Sequence, residues 1–143
     1  MQERQVEHGQ RESQGRVEGY RYQWWNRQQN EPIGGTSFGR RPDDWNHRPQ
    51  RFEHRDYNAN INSPHRFHWG SYRRPRGWYD HRWVFGERLP FFFWTHNYWL
   101  TSWWLFGLPI PPVGCEWVRV GNDALLIDTR TGEIIQVVYN IFW

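Results

Sequence analysis

The strongest constraint on the fold lies at the C-terminal end, where three runs of β-forming residues, 115–120, 123–128 and 133–142, are separated by two short turns. Gly121-Asn122 between the first two runs is typical of a tight hairpin. The second turn, Thr129-Arg-Thr-Gly132, ends in glycine, which tolerates the backbone angles of a turn. Because strands joined by short turns usually pair with each other, the pattern predicts a three-stranded antiparallel meander.

The alternation of side chains within these runs predicts which residues share a face of the sheet. Successive side chains of a strand point to opposite faces, so Val118 and Val120 are expected on one face and Arg119 on the other. In the last run, every second residue from Ile135 to Ile141 is apolar, whereas Gln136 lies in the opposite set. We therefore expect one continuous apolar face on the last strand.

The residues before the meander predict shorter elements. The β-forming residues 83–85 indicate a short first strand, because a Gly-containing turn and Pro90 follow them. Between Phe93 and Phe106, a short helix that ends at Gly107 and an extended chain up to Leu100 are both consistent with the sequence. The predicted fold class is α+β and mainly β, a small three- to four-stranded antiparallel meander at the C-terminus with a short helix or turn. Turns are expected at four glycines: Gly107, Gly114, Gly121 and Gly132.

The two halves of the 143-residue chain differ in charge and in aromatic content. Residues 1–76 have 14 Arg and 9 acidic residues, a net charge of +5, whereas residues 77–143 have a net charge of −2. Residues 66–143 contain 20 aromatic residues, against 8 in residues 1–65. Since residues 1–76 show no lasting apolar period, we predict a disordered arm there, rich in Arg, Gln, Asn and aromatic residues. Residues 77–143 are expected to fold without it.

The stretch from Leu89 to Cys115 has no charged residue over 27 positions, a length sufficient to span a membrane. Prolines interrupt it repeatedly, and His96 and Asn97 lie near its middle, so polar groups would remain unsatisfied in lipid. We predict an aromatic core segment and no transmembrane span, with contact at a membrane surface as the alternative.

An ordered set of short motifs in the C-terminal part is similar to that of the RcnB family of nickel/cobalt homeostasis proteins. The similarity covers about 59 residues, and its motifs are Gly86, Leu89-Pro90, Phe93, Tyr98, Trp103, 107–112, Gly114, Trp117-Val-Arg119, 121–128 and 131–134. This resemblance implies a small periplasmic, non-enzymatic protein that supports nickel and cobalt homeostasis beside an efflux system. It also implies an export signal. No apolar run follows Met1, so either the signal was removed or the protein stays inside.

Two departures from the family pattern weaken the case for a carboxylate metal site. Thr101 and Ser102 stand where family members usually have acidic residues, and Cys115 replaces an aromatic residue. His65 and His68 remain the closest pair of imidazoles, a ligand type that suits both metals. Any binding of Ni²⁺ or Co²⁺ is expected to be weak and to use this pair.

The sequence favours binding over catalysis. It contains no nucleophile elbow, glycine-rich phosphate loop or recognisable acid and base pair, and Cys115 is expected to be a small packed residue. We expect Trp99, Trp103 and Trp104 to form an exposed aromatic surface for a metal-efflux system or an envelope component. In the alternative, the arm binds anionic envelope components or single-stranded nucleic acid through Arg and aromatic side chains, and export would exclude nucleic acid.

Overall fold

The computed structural model describes residues 40–143, which form a four-stranded mixed sheet with short helices around it. In chain order the elements are helix α1 (His54–Tyr57), β1 (Ala59–Asn62), three 3₁₀ helices (Phe91–Phe93, His96–Tyr98 and Trp103–Phe106), β2 (Cys115–Val120), β3 (Asp123–Asp128) and β4 (Ile134–Tyr139). The strand order is β1-β4-β3-β2. The predicted class, mainly β with little helix, is confirmed.

The predicted meander of the last three strands is present. β2 pairs with β3 antiparallel from Cys115 opposite Asp128 to Val120 opposite Asp123, so only two residues form the hairpin turn. β3 then pairs antiparallel with β4, which places β3 in the interior of the sheet. Its position explains why five of its six residues are buried, since both of its edges and both of its faces are covered.

The fourth strand is not the one that the sequence indicated. β1 runs parallel to β4, with Ala59 opposite Gln136 and Asn62 opposite Tyr139, so the sheet is not wholly antiparallel. Residues 83–85, predicted to be a strand, form none. The chain immediately after them instead contacts the start of β4, where Gly86 N–H donates to Ile134 O at 2.8 Å and Ile134 N–H donates to Glu87 O at 2.8 Å. Two segments therefore cover the outer edge of β4 in succession.

The predicted boundary at residue 76 requires correction, because residues before it belong to the folded unit. Tyr57 and Ala59 are buried in the core. After β1 the chain continues along the C-terminus, where Ser63 N–H donates to Tyr139 O at 2.9 Å and Phe67 N–H donates to Ile141 O at 2.8 Å. The predicted disorder of residues 1–39 lies outside the described residues. A fragment of residues 77–143 would lack β1 and expose this edge of β4, which argues against its independent folding.

Apolar side chains cover both faces of the sheet and form two core clusters. On one face the largest buried members are Trp103, Phe106, Trp117, Leu126, Ile135 and Phe142. On the other they are Trp83, Leu89, Phe93, Val118, Leu125, Val137 and Tyr139. Trp117 and Val118 lie on opposite faces of the sheet, as the alternation predicted for β2 requires.

A β-bulge in β4 and a positive φ just after that strand change the predicted face of two residues. Leu126 pairs with Gln136, but Ile127 pairs with Ile134, so Ile135 is the extra residue. It therefore packs with Trp117, on the face opposite to Val137. Ile141 also joins the Trp117 cluster, after Asn140 adopts a positive φ of 57°. The expected continuous apolar face from 135 to 141 was wrong for these two isoleucines.

The aromatic segment before β2 combines the two conformations that the sequence left open. Three 3₁₀ helices replace a single helix, and between the second and the third the chain is extended at residues 99–100. There Leu100 N–H donates to Trp117 O at 2.7 Å, and Trp99 forms a bridge with Val118. Pairing with the edge strand β2 thus interrupts the helix. The last 3₁₀ helix ends at Gly107, whose φ of 71° is left-handed.

Candidate functional site

The three tryptophans predicted to form an exposed partner surface do not lie together on one. Trp103 is buried, at 7% exposure, and Trp99 and Trp104 are half-buried. Trp99 packs against the Val118 cluster and its indole donates to Trp94 O at 2.9 Å, whereas Trp104 packs against the Trp117 cluster on the other face. The prediction of one surface is corrected, because Trp103 is buried and the sheet separates Trp99 from Trp104.

Other aromatic side chains are more exposed. Phe91 is the most accessible at 64%, and its ring lies edge-on to Trp94, with 4.8 Å between ring centroids. Trp143 is 58% exposed, and the guanidinium of Arg66 lies 4.8 Å from its ring centroid. Phe91 belongs to the uncharged segment, so a contact there would be mainly apolar.

His65 and His68 lie in a segment that is paired with the C-terminus. Phe67, between them, donates to Ile141 O and accepts from Trp143 N–H at 3.0 Å. His68 stacks on Trp143, with 5.4 Å between the ring centroids. The two histidines are therefore in an ordered part of the chain, contrary to the mobile arm predicted for residues 1–76.

The described residues bring few potential metal ligands together. Residues 40–143 contain no group of three or more His, Cys, Asp or Glu side chains arranged to hold one. The nearest approach is His54, whose Nε2 lies 3.7 Å from Asp128 and whose Nδ1 lies 3.4 Å from Glu133. Because opposite ring nitrogens face the two carboxylates, a single ion cannot bind the imidazole and both acids. Hydrogen bonds from Arg130 also occupy Asp128 and lower the pKa of its carboxyl.

Cys115 does not have the properties of a nucleophile. Its side chain is fully buried within the Trp117 cluster. Burial, together with the nearby Asp128 carboxylate, raises the pKa of its thiol to about 12, so the thiol stays protonated at neutral pH. This environment is that of a small packed side chain.

Arg48 connects the predicted arm to the proline-rich chain before β2, a role that the sequence did not indicate. Its Nε donates to Pro111 O at 3.0 Å, and its Nη2 donates to Cys115 O and to the Glu116 carboxylate, the latter at 3.0 Å. Next to it, Val113 N–H donates to Pro49 O at 2.8 Å. Residues 48–49 therefore fix the entry into β2.

The turn glycines all have positive φ, and Gly132 is also closely packed. The φ angles of Gly107, Gly114, Gly121 and Gly132 are 71°, 88°, 63° and 84°. A Cβ atom at Gly132 would lie 2.9 Å from Leu89 O and 3.3 Å from Trp94 Nε1. The same addition at Gly114 would meet no atom within 4 Å. A side chain at position 132, in the β3–β4 turn, would therefore collide with the Leu89-Pro90 turn, so glycine is required there.

Arginine and aromatic side chains before residue 79 stack on each other. The guanidinium of Arg41 lies 4.8 Å from the Trp45 ring centroid, and that of Arg74 lies 4.0 Å from the Trp78 centroid. In each pair the guanidinium and the ring already stack on each other. A nucleic acid base or an anionic polymer would use these same groups for its contacts.

Comparison with known proteins identifies a family for part of the chain. Residues 86–136 match the model of the RcnB family, described as nickel/cobalt transporter regulator, which confirms the resemblance seen in the sequence. No curated protein matches the chain. One solved structure is 28% identical over 39% of this chain and 68% of its own, with a TM-score of 0.37. Within residues 40–143, no helix has the length and apolar character needed to cross a membrane.

Proposed function

We propose that this chain is a periplasmic, non-enzymatic RcnB-like protein that supports nickel and cobalt homeostasis by contact with a partner, a metal-efflux system or an envelope component. The match of residues 86–136 to a family of nickel/cobalt transporter regulators carries this proposal. The matched residues form β2, β3 and the start of β4 together with the aromatic segment, which is most of the core.

Regulation through a partner agrees with the chemistry of the described residues. No group of three or more potential ligand side chains in residues 40–143 is arranged around a metal position. The remaining candidates, His65 and His68, offer at most two imidazoles, so water or a partner would have to complete a coordination shell. We therefore expect direct binding of Ni²⁺ or Co²⁺ to be weak, and the metal to be the regulated cargo.

Phe91 is the side chain that best supports a partner contact within the matched region. It is 64% exposed, and the half-buried Trp94 beside it extends the apolar surface. Large aromatic side chains with a rigid neighbour are common at the centre of protein interfaces. Of the three tryptophans first expected there, Trp99 and Trp104 remain partly accessible and can contribute at the periphery.

The native host provides the test. Deletion of the gene should measurably change the nickel or cobalt content of cells grown with added metal. Metal content would be measured by mass spectrometry. Wild-type protein and a Trp143→Ser control, which alters an exposed aromatic outside the matched residues, should restore it, whereas Phe91→Ser should not. Unchanged metal content after deletion would refute the function, and full rescue by Phe91→Ser would refute the surface.

The alternative function, binding of anionic envelope components or single-stranded nucleic acid, is supported by the +5 net charge of residues 1–76. The stacked pairs Arg41–Trp45 and Arg74–Trp78 count against it, because they already satisfy each other. Tight binding of anionic vesicles or of a thymidine oligonucleotide at physiological salt would favour this alternative.

A further inference from the structure

The arginine of the Trp117-Val-Arg119 motif is buried without a negative partner. Arg119 is only 6% exposed. Its Nε donates to Gly121 O at 2.8 Å, and its Nη1 donates to Trp69 O and Gly70 O, each at 3.1 Å. Within residues 40–143 no carboxylate forms an ion pair with this guanidinium. Three carbonyl dipoles hold the cation in place, but its charge is not compensated by an anion.

A second unpaired polar group lies beside it. Tyr72 Oη is buried and forms no hydrogen bond of standard geometry among the described residues, although the Gly121 amide lies near enough to lower its pKa. The Arg119 guanidinium carbon is 5.8 Å from the centroid of the Tyr72 ring. Burial and the neighbouring Tyr98 raise the pKa of Tyr72 to about 12, whereas the Gly121 amide and Arg119 oppose the rise. The hydroxyl is therefore protonated at neutral pH and is available as a donor.

Arg119 and Tyr72 are both among the residues that line one cavity of about 240 Å³ at the edge of the sheet. The cavity lies where two segments cover the edge strand β2: residues 99–100 pair with it at Trp117 and Val118, and residues 69–70 accept from Arg119. Arg73, Asn97 and Ser71 supply further polar atoms to its wall, and Trp99 and Tyr98 supply aromatic ones. No acidic side chain is among its lining residues, so its potential is positive.

We propose that this cavity binds a small oxyanion, a carboxylate or a phosphate, between Arg119, Arg73 and the Tyr72 hydroxyl. The hydrogen bonds of Arg119 to backbone carbonyls use Nε and Nη1, so Nη2 is the nitrogen left to bind the oxyanion. An oxyanion accepts charge-assisted hydrogen bonds from guanidinium and phenol together, and it supplies the charge that the buried cation lacks. The site is independent of the proposed function in metal homeostasis.

The test is a titration of the full-length chain, followed by the indole and arginine Nε signals in ¹H–¹⁵N NMR spectra. Benzoate is the carboxylate probe, and inorganic phosphate is the phosphate probe. Each is compared with chloride at constant ionic strength. We expect saturable shifts at Trp69, Trp99 and Arg119 with at least one of the two oxyanions. The oxyanion that binds more tightly identifies the ligand class.

Matched variants separate the site from general electrostatic attraction. Arg73→Gln and Arg74→Gln remove the same charge at adjacent positions, but only Arg73 lines the cavity. Tyr72→Phe removes the buried hydroxyl, and Tyr79→Phe is its exposed control. Arg73→Gln and Tyr72→Phe should each weaken binding about tenfold to hundredfold, as expected for loss of one hydrogen bond to a charged ligand, and the controls should not. Shifts that chloride reproduces, or that all four variants retain equally, would overturn the proposal.

Discussion

The close packing at Gly132 provides a quantitative test of the β3–β4 turn. In Gly132→Ala, the left-handed φ of 84° costs a non-glycine residue roughly 1–2 kcal/mol. The added Cβ, 2.9 Å from Leu89 O, also forces the Leu89-Pro90 turn outward. That movement weakens two hydrogen bonds, Leu89 N–H to Gly132 O at 2.8 Å and Trp94 Nε1 to Leu89 O at 3.0 Å. At about 1 kcal/mol for each bond, the expected total loss is roughly 3–4 kcal/mol.

Gly114→Ala is the matched control, because Gly114 has nearly the same φ, 88°, but open space around the added atom. This variant should lose only the stability that the backbone strain costs, about 1–2 kcal/mol. The difference of about 2 kcal/mol corresponds to a melting temperature roughly 10 °C lower for Gly132→Ala, measured by circular dichroism on residues 40–143. Equal melting temperatures for the two variants would refute the close contact between this turn and Leu89.

Three further results are expected. Residues 77–143 alone should remain unfolded by circular dichroism and limited proteolysis, whereas residues 40–143 fold, because β1 and the buried Tyr57 are missing; a folded short fragment would contradict the fold. Arg130→Gln should lower the melting temperature at pH 7, and this effect should shrink as the pH falls below the ordinary carboxyl range: the pKa of Asp128 is depressed in the folded state, so its stabilisation exists above the ordinary carboxyl pKa and disappears as pH falls through the folded value. Cys115 should resist a thiol reagent at pH 8 until the protein is denatured, and rapid labelling of the folded chain would disprove its burial.

The meander could be predicted from the sequence because its determinants are local. Alternation within 115–120 and the two-residue turn at Gly121-Asn122 act over a few residues, and the observed register follows them. The bulge at Ile135 could not be predicted, since alternation alone does not show where an extra residue enters a strand. Its effect was to move Ile135 to the other face, and the positive φ of Asn140 did the same for Ile141.

β1 was missed because its sequence disfavours a strand. Ala59-Asn-Ile-Asn62 has only two apolar residues, and Asn is depleted in strands. Its stability comes from parallel pairing with β4, more than 70 residues later, and from the Asn60 side chain, which accepts from Phe85 N–H at 3.0 Å. Such long-range pairing leaves no periodic signal in the sequence.

The sequence identified candidate site residues by type but could not determine their burial. Dense aromatic composition suggested an exposed surface at Trp103, yet a segment without clear periodicity does not reveal which ring faces the core. Arg119 was placed correctly on the face opposite Val118. Its burial beneath residues 69–70 depends on a segment 50 residues earlier, which no local pattern connects to it.

The central claim is that the chain supports nickel and cobalt homeostasis through a partner, without a metal site in its folded region. Calorimetric titration of Ni²⁺ and Co²⁺ into the full chain and into His65→Ala/His68→Ala tests it most directly. The predicted result is weak binding by the wild-type chain, with a Kd on the order of 0.1 mM or weaker, or about 5.5 kcal/mol, and its loss in the double variant. Tight, stoichiometric binding that the double variant retains would contradict the claim and make the folded region itself the metal sensor.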